Sequence, residues 1–368
     1  MSRAASETTR AAAAELRDRV DAAKRRLRAK LLDLDVGTSG VSEYNQRYLA
    51  SKLECVDGTL QLYGSLLLLA LKDHDAPVED LVLVDYGGGS GLISMLACEA
   101  GVGTVVYNDI YDVSCSDVTH LAGLLGLSLE HVVCGDVDAL LAYVRDGAVT
   151  VDALMAYDVL EHIYDVEEYF TKLGGLSSGR LRVVHASGAN TSNPRIVRML
   201  RKEQVEAESH DRDKQWGHKE RDSLRAYADR RADIVFAYGP DLTPAVVGEL
   251  ARATRGMMRP DIERIVDDYR RTGAVPAQPD DPTNTCDPDT GNWCEHLMDL
   301  GWLERTVRER GFSVEILTGR YDACGPAPKK AAKALLNVVL GVSGKAGMIV
   351  APYYVVYANA APSAAPKG

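Results

Sequence analysis

The residues best suited to chemistry begin with Asp85-Tyr86-Gly87-Gly88-Gly89-Ser90-Gly91, where an acidic side chain precedes three glycines spaced two apart. Glycine at those places lets backbone turn sharply and lie close against a ligand. A helix leaving the run would offer the N–H groups of its first turn. A strand-to-helix turn of this kind suits a nucleotide-like molecule. Dinucleotide enzymes and flavoproteins use a related turn, but a GxGxxG started at Gly87 and Gly89 needs glycine or alanine where this chain has Leu92.

Acidic residues recur downstream. Asp109 closes an apolar stretch, where a carboxylate can accept two hydrogen bonds from ribose hydroxyls; helix capping is the plainer alternative. Gly135-Asp136-Val137 and Tyr157-Asp158-Val159-Leu160-Glu161-His162-Ile163 each follow a further apolar stretch. Three histidines are candidate proton acceptors. His296 ranks first, because Trp293 and Glu295 precede it and a neighbouring carboxylate would raise an imidazole pKa. His162 ranks second, at the opening of a helix, and His185 third, at a strand end where it can equally be packed away. Asp158, Glu161 and His162 have the donor types of a divalent-metal site, but no metal is expected. Asp287-Pro288-Asp289-Thr290-Gly291 has a superficial likeness to a calcium loop, and turn chemistry explains it better.

These residues need a scaffold, and the sequence supplies a regular one. Strands are expected at Leu81–Tyr86, Thr104–Asn108, His131–Cys134, Val151–Tyr157 and Leu181–His185, with helices between them. Mostly apolar strands alternating with helices imply a parallel sheet covered on both faces. Residues 1–12 are expected to be a disordered tail. Leu16, Val20, Ala23, Leu27 and Leu31 predict one apolar face for a helix over Ala13–Leu32. After Asn190 the alternation stops. Helices are expected at Leu242–Met258 and Pro260–Arg271, and four prolines make Ala274–Asn292 a long irregular loop. It resumes with a helix Cys294–Arg310, a strand Phe312–Leu317, a helix Lys329–Leu340 and a last strand Met348–Tyr357; the tail from Ala358 is expected to fray.

Bulk properties narrow the class. The chain has 368 residues, 46% hydrophobic and 26% charged, with a formal net charge of −11. That balance argues against a general nucleic-acid binder. Leu66–Leu71 is the most apolar short run and is far too short to cross a bilayer, so no membrane partner is expected. The seven cysteines are scattered without a CxxC pair, which suggests a reduced, cytoplasmic protein. Oligomeric state is not legible.

The four elements taken together, in this order and at these strand ends, resemble class I S-adenosylmethionine (SAM)-dependent methyltransferases. The run from Tyr157 to Ile163 is similar to the "VLEH" signature of the ubiquinone-biosynthesis O-methyltransferase-like group. The likeness covers roughly residues 41–190 and 293–358. It implies an α/β, Rossmann-like fold: a seven-stranded, mostly parallel sheet with an antiparallel last strand, plus a helical insertion.

It also implies SAM as cofactor, held by Asp85, Gly87, Gly89, Gly91, Asp109, Ile110, Asp136, Val137 and Tyr157. Asp85 would serve the methionine amino group, usually through water, and Asp136 the adenine. The domains would be a tail and covering helices (1–78), the SAM-binding core (79–190), a helical insertion and substrate lid (191–292), and a return to the core (293–368). The expected activity is methyl transfer to a small molecule, a hydroxyl before an amine or carbon. A non-catalytic SAM-binding module, or another nucleotide-binding Rossmann enzyme, is the alternative.

Overall fold

The computed structural model describes residues 3–147, 149–176, 179–213 and 222–360. Five short apolar strands lead, Val82–Tyr86 (β1), Thr104–Asp109 (β2), His131–Cys134 (β3), Ala153–Tyr157 (β4) and Arg182–Ser187 (β5). Two more follow at the C-terminal end, Phe312–Thr318 (β6) and Tyr354–Ala360 (β7). They form one seven-stranded sheet in the order β3-β2-β1-β4-β5-β7-β6. β1 pairs in parallel with both β2 and β4, whereas β7 runs antiparallel to both β5 and β6. Leu83, Val84, Val106, Leu154, Met155, Val183 and Val184 are wholly buried, as strands covered on both faces require.

The chain starts at the middle of this sheet, works outward through β2 and β3, and returns to β4 on the other side of β1. Right-handed crossovers running in opposite directions place their helices on opposite faces. These helices are Leu92–Glu99 (α4), Asp112–Leu124 (α5), Val137–Asp146 (α6) and Val166–Gly174 (α7). The fold is Rossmann-like, with the antiparallel last strand that the resemblance implies. Its strand order reverses between β1 and β4, and the crevice beyond the carboxyl ends at such a reversal is where open α/β sheets bind ligands.

Three helices precede the sheet: Arg3–Asp33 (α1), Glu43–Leu53 (α2) and Val56–Leu71 (α3). Val20, Ala23, Leu27 and Leu31 of α1 are buried on the face their spacing predicts. Residues 3–12 are helix rather than disordered tail; six alanines among the first fourteen residues favour that extension.

The chain divides into two compact units: residues 1–159, 167–187 and 300–368, and residues 160–166 with 188–299. The second unit contains Pro194–Ser209 (α8), Tyr227–Tyr238 (α9), Pro244–Ala253 (α10) and Arg259–Thr272 (α11). Ile234, Val235, Leu250, Ile262 and Val266 make its core. Arg231 is buried within it, donating to the Ala251 carbonyl at 2.9 Å and to Glu208 at 3.1 Å. The irregular stretch 274–292 is not a loose flap, since Thr285, Cys286 and Asp287 are wholly buried. Asp287 Oδ1 accepts from the N–H groups of Asp289 and Thr290 at 2.8 and 3.2 Å, the turn chemistry expected of that motif.

Further expectations need correction. The helix returning after the insertion is Leu300–Glu309 (α12), so residues 294–299 are loop. Glu295 there has φ 54°, which no helix accommodates. The last strand is Tyr354–Ala360, so it runs through Ala358, where the sequence predicts fraying, and begins later than Met348, which lies in a 3-10 turn following Ala327–Ser343 (α13). The cysteines are not all unpaired: Cys55 and Cys324 form a disulfide with Cα atoms 5.9 Å apart. A separation of 269 residues hid that pairing from the sequence.

Candidate functional site

The glycine turn is built as the sequence demands. Gly87, Gly89 and Gly91 have φ of +67°, +53° and +74°. A Cβ at Gly87 would lie 2.5 Å from the Val159 side chain, so β1 and the segment after β4 approach as closely as only glycine allows. The Gly88 N–H donates to the Asn108 carbonyl at 2.9 Å and the Gly89 N–H to Asp109 Oδ2 at 2.8 Å, which clip the turn to the end of β2. Asp109 Oδ1 accepts from the Tyr111 N–H at 2.8 Å. Each carboxylate oxygen has two lone pairs, so Asp109 retains capacity for a further donor.

Asp85 is wholly buried at the end of β1. Its Oδ2 accepts from the Ser94 N–H and hydroxyl at 2.9 and 2.7 Å, securing the first turn of α4. Its Oδ1 has no hydrogen-bond partner among the described residues. Burial pushes the carboxyl pKa up to about 7 against the lowering effect of Ser94. Asp136, at the end of β3, caps α6 by accepting from the N–H groups of Asp138 and Ala139 at 3.0 and 3.3 Å. Its side chain is exposed, and Val137 behind it is buried. Ile110 is exposed after β2, and Tyr157 is half-buried at the end of β4. Asp158 follows with φ 63°, a strained conformation for a residue other than glycine. The first unit thus gathers all nine sequence-predicted cofactor residues around the carboxyl ends of β1–β4.

Sequence reasoning missed one wall of this site. Tyr44, Tyr48 and Lys52 follow one another at i, i+4 and i+8 on α2, a spacing that signals one helical face. A Cβ at Gly89 would meet the Tyr48 ring at 3.4 Å. The Lys52 ammonium lies 5.0 Å from the Tyr48 ring centre and 5.3 Å from that of Tyr157. Burial pushes the Lys52 pKa down, with the Asp158 charge opposing the shift. Two tyrosine faces thus flank the Lys52 ammonium, whose charge burial disfavours.

The histidines separate clearly. His185 is wholly buried in mid-sheet, its Nε2 3.0 Å from the Tyr169 hydroxyl and its ring against Phe170. Burial holds its pKa down to about 3, so it is a packed core residue and not an open base. His296 stacks on Trp293 at 4.0 Å, and burial lowers its pKa to about 4. The expected carboxylate partner belongs to a different imidazole: Glu295 Oε1 lies 3.8 Å from His162 Nε2. His162 Nδ1 lies 2.8 Å from the Trp293 carbonyl oxygen. A carbonyl only accepts, so Nδ1 carries the proton and Nε2 is the atom available for proton transfer. This cluster belongs to the second unit, tied together by the His296 N–H to the Glu161 carbonyl at 3.0 Å and the Trp293 indole N–H to the Tyr164 carbonyl at 3.1 Å.

A cavity of about 790 Å³ lies elsewhere in the first unit, lined by Leu16, Leu69, Val78, Leu317 and Val355, and takes in none of these residues.

No family model matches the chain, and no curated protein does. Solved structures do show similarity. A SAM-dependent methyltransferase from Mesorhizobium loti is 14% identical over 80% of this chain and 95% of its own, with a TM-score of 0.36. A proposed SAM-dependent methyltransferase from Listeria monocytogenes is 10% identical over 81% of this chain and 97% of its own, at 0.37. The CurJ carbon methyltransferase is 12% identical over 97% of this chain and 71% of its own, at 0.40. Scores and identities this low decide nothing about activity, and the weight falls on the strand ends themselves.

Proposed function

We propose that the chain is a SAM-dependent methyltransferase acting on a small-molecule acceptor. One observation carries the reading: carboxylates close four adjoining strand ends around a glycine turn, at the point where strand order reverses, with tyrosine faces alongside. A ligand that is cationic and rich in hydroxyl and amine donors suits that set of acceptors, and the unpartnered Asp85 Oδ1 adds another. SAM, when bound, supplies a methyl group already activated on a sulfonium centre.

The protein is left with binding, alignment and one proton. Asp109 would hold the ribose hydroxyls with its spare lone pairs, and Asp136 with Val137 the adenine edge. Asp85 Oδ1 would serve the amino group. The tyrosines of α2 and Tyr157 would face the positive centre and exclude water. For a hydroxyl acceptor, His162 Nε2 would take the proton while the Trp293 carbonyl fixes the ring. NAD is disfavoured by Leu92, and the intact turn speaks against a degenerate binding module.

Untargeted mass spectrometry of cells expressing the chain tests the activity. A product heavier than a precursor by one CH₂, absent with Asp109→Asn, is expected. No such product in any extract in which purified protein binds SAM would leave the binding-module alternative standing.

A further inference from the structure

We propose that the outer face of α13 docks the protein on an anionic lipid surface, with the helix lying in the plane of the headgroups. Leu335, Val338, Val339 and Val342 are 67%, 65%, 42% and 83% exposed, and Ile349 just beyond is 58% exposed. They recur at helical spacing, preceded by Ala331, Ala332 and Ala334 and with Gly341 and Ala346 between them, and no charged residue lies from Ala334 to Gly344. A contiguous apolar stripe of this kind on one helix marks an interaction surface, unlike the isolated exposed leucines found on any protein.

The helix lies on its partner rather than spanning it. Residues 327–349 are long and apolar enough to cross a bilayer, but their inner side is committed to the protein. Leu340 and Met348 are buried, and Asn337 exchanges hydrogen bonds of 2.8 Å with the backbone N–H and carbonyl of Tyr321. Burial of one side only therefore fits a surface mode, in which the other face alone enters the interfacial region.

Charge identifies the occupant. On a chain of net charge −11, the stretch from Ala323 to Ala360 carries Lys329, Lys330, Lys333 and Lys345 and no acidic residue; Lys333 pairs with Asp322 and Lys345 lies 3.6 Å from Glu304, so Lys329 and Lys330 supply the surplus charge. Lys329 and Lys330 thus flank the apolar stripe at its N-terminal end, where their stems can lie along the interface with ammonium groups at the headgroups. A second copy of the chain fits worse. Parallel face-to-face packing about a two-fold axis would bring Lys329 and Lys330 against their own copies. The connection carrying α13 also leaves β6 at Thr318 and enters β7 at Tyr354, opposite Ser187 at the carboxyl end of β5. The docking face therefore emerges at the same edge of the sheet as the strand-end carboxylates. This inference does not depend on the methyltransferase reading.

Co-sedimentation of the full chain with vesicles tests it. Protein should pellet with phosphatidylcholine mixed with phosphatidylglycerol, more weakly with phosphatidylcholine alone, and less in high salt. Leu335→Gln, Val338→Gln and Val342→Gln combined should reduce pelleting at least about tenfold with an unchanged circular dichroism spectrum. Separately, Lys329→Glu with Lys330→Glu should abolish the preference for phosphatidylglycerol. Wild-type protein that stays in the supernatant with the mixed vesicles would overturn the proposal, as would undiminished pelleting of the triple variant. So would a dimer in sedimentation velocity that the triple variant dissolves while no vesicle is bound; the face would then belong to a second copy.

Discussion

The Nδ1 of His162 lies 2.8 Å from the carbonyl oxygen of Trp293, a residue 131 positions further along the chain. That hydrogen bond fixes the imidazole tautomer and turns Nε2 outward toward Glu295. His162→Ala should therefore lower kcat by roughly 10²–10⁴-fold on a hydroxyl acceptor, with SAM affinity unchanged. His296→Ala should cost far less, since burial holds that ring neutral, with a pKa of about 4, and stacked on Trp293. Parallel kinetics on the two variants decide. A collapse of kcat with His296→Ala and near wild-type turnover with His162→Ala would reverse the assignment.

Gly87→Ala should destabilise the first unit. The position needs φ +67°, and the new methyl would sit 2.5 Å from Val159. Backbone strain alone costs about 1–3 kcal/mol. Adding Val159→Ala should recover the part due to overlap and leave the strain. Urea unfolding of the single and double variants measures both. Equal stability of Gly87→Ala and wild type would show that the turn is not as tight as described.

His185 gives the fold a pH dependence of known sign. Its folded pKa of about 3 lies below the ordinary value of 6.5, so between those pH values the unfolded chain binds a proton that the folded chain does not. Stability is present above pH 6.5 and falls as pH drops through this window, by about 1.4 kcal/mol per pH unit for this residue. His185→Gln should be less stable at pH 7, through the loss of packing and of the Tyr169 contact, yet show a shallower loss on acidification. Urea midpoints from pH 7 to 5 provide the comparison. Parallel slopes for wild type and variant would remove His185 from the acid response.

Much of this was legible in the sequence because period and punctuation agreed. The strand His131–Cys134 falls where its apolar run does, and the buried face of α1 is the one given by Val20, Ala23, Leu27 and Leu31. The positions at the strand ends were legible for the same reason: local order alone places Asp85, Asp109, Asp136 and Tyr157 at one edge of the sheet. The failures involve contacts between distant segments. Nothing near Glu295 in sequence reveals its left-handed backbone, so residues 294–299 read as helix. His296 looked open beside an acidic neighbour, whereas that neighbour turns to His162. Tyr48 could have been found from its spacing with Tyr44 and Lys52, but its role depends on meeting Gly89, forty-one residues away. The apolar outer face of α13 has the same periodicity as a buried one, and only the structure shows which side is covered.

The tyrosine wall predicts a difference between the charged cofactor and its neutral demethylated product. Tyr48→Leu should weaken SAM binding by about 0.5–2 kcal/mol through lost cation–π attraction. Binding of S-adenosylhomocysteine, whose sulfur is uncharged, should change less. Competition titrations with both ligands report the ratio. Equal weakening of the two would assign Tyr48 to packing alone.

Calorimetric titration of the purified chain with SAM is the most direct test of the central claim. The wild type should bind SAM with one-to-one stoichiometry and give no heat with NAD. Asp109→Asn should weaken SAM binding by about 1–3 kcal/mol, the cost of hydrogen bonds to a charged acceptor, while remaining folded. Binding of NAD with no binding of SAM would contradict the account.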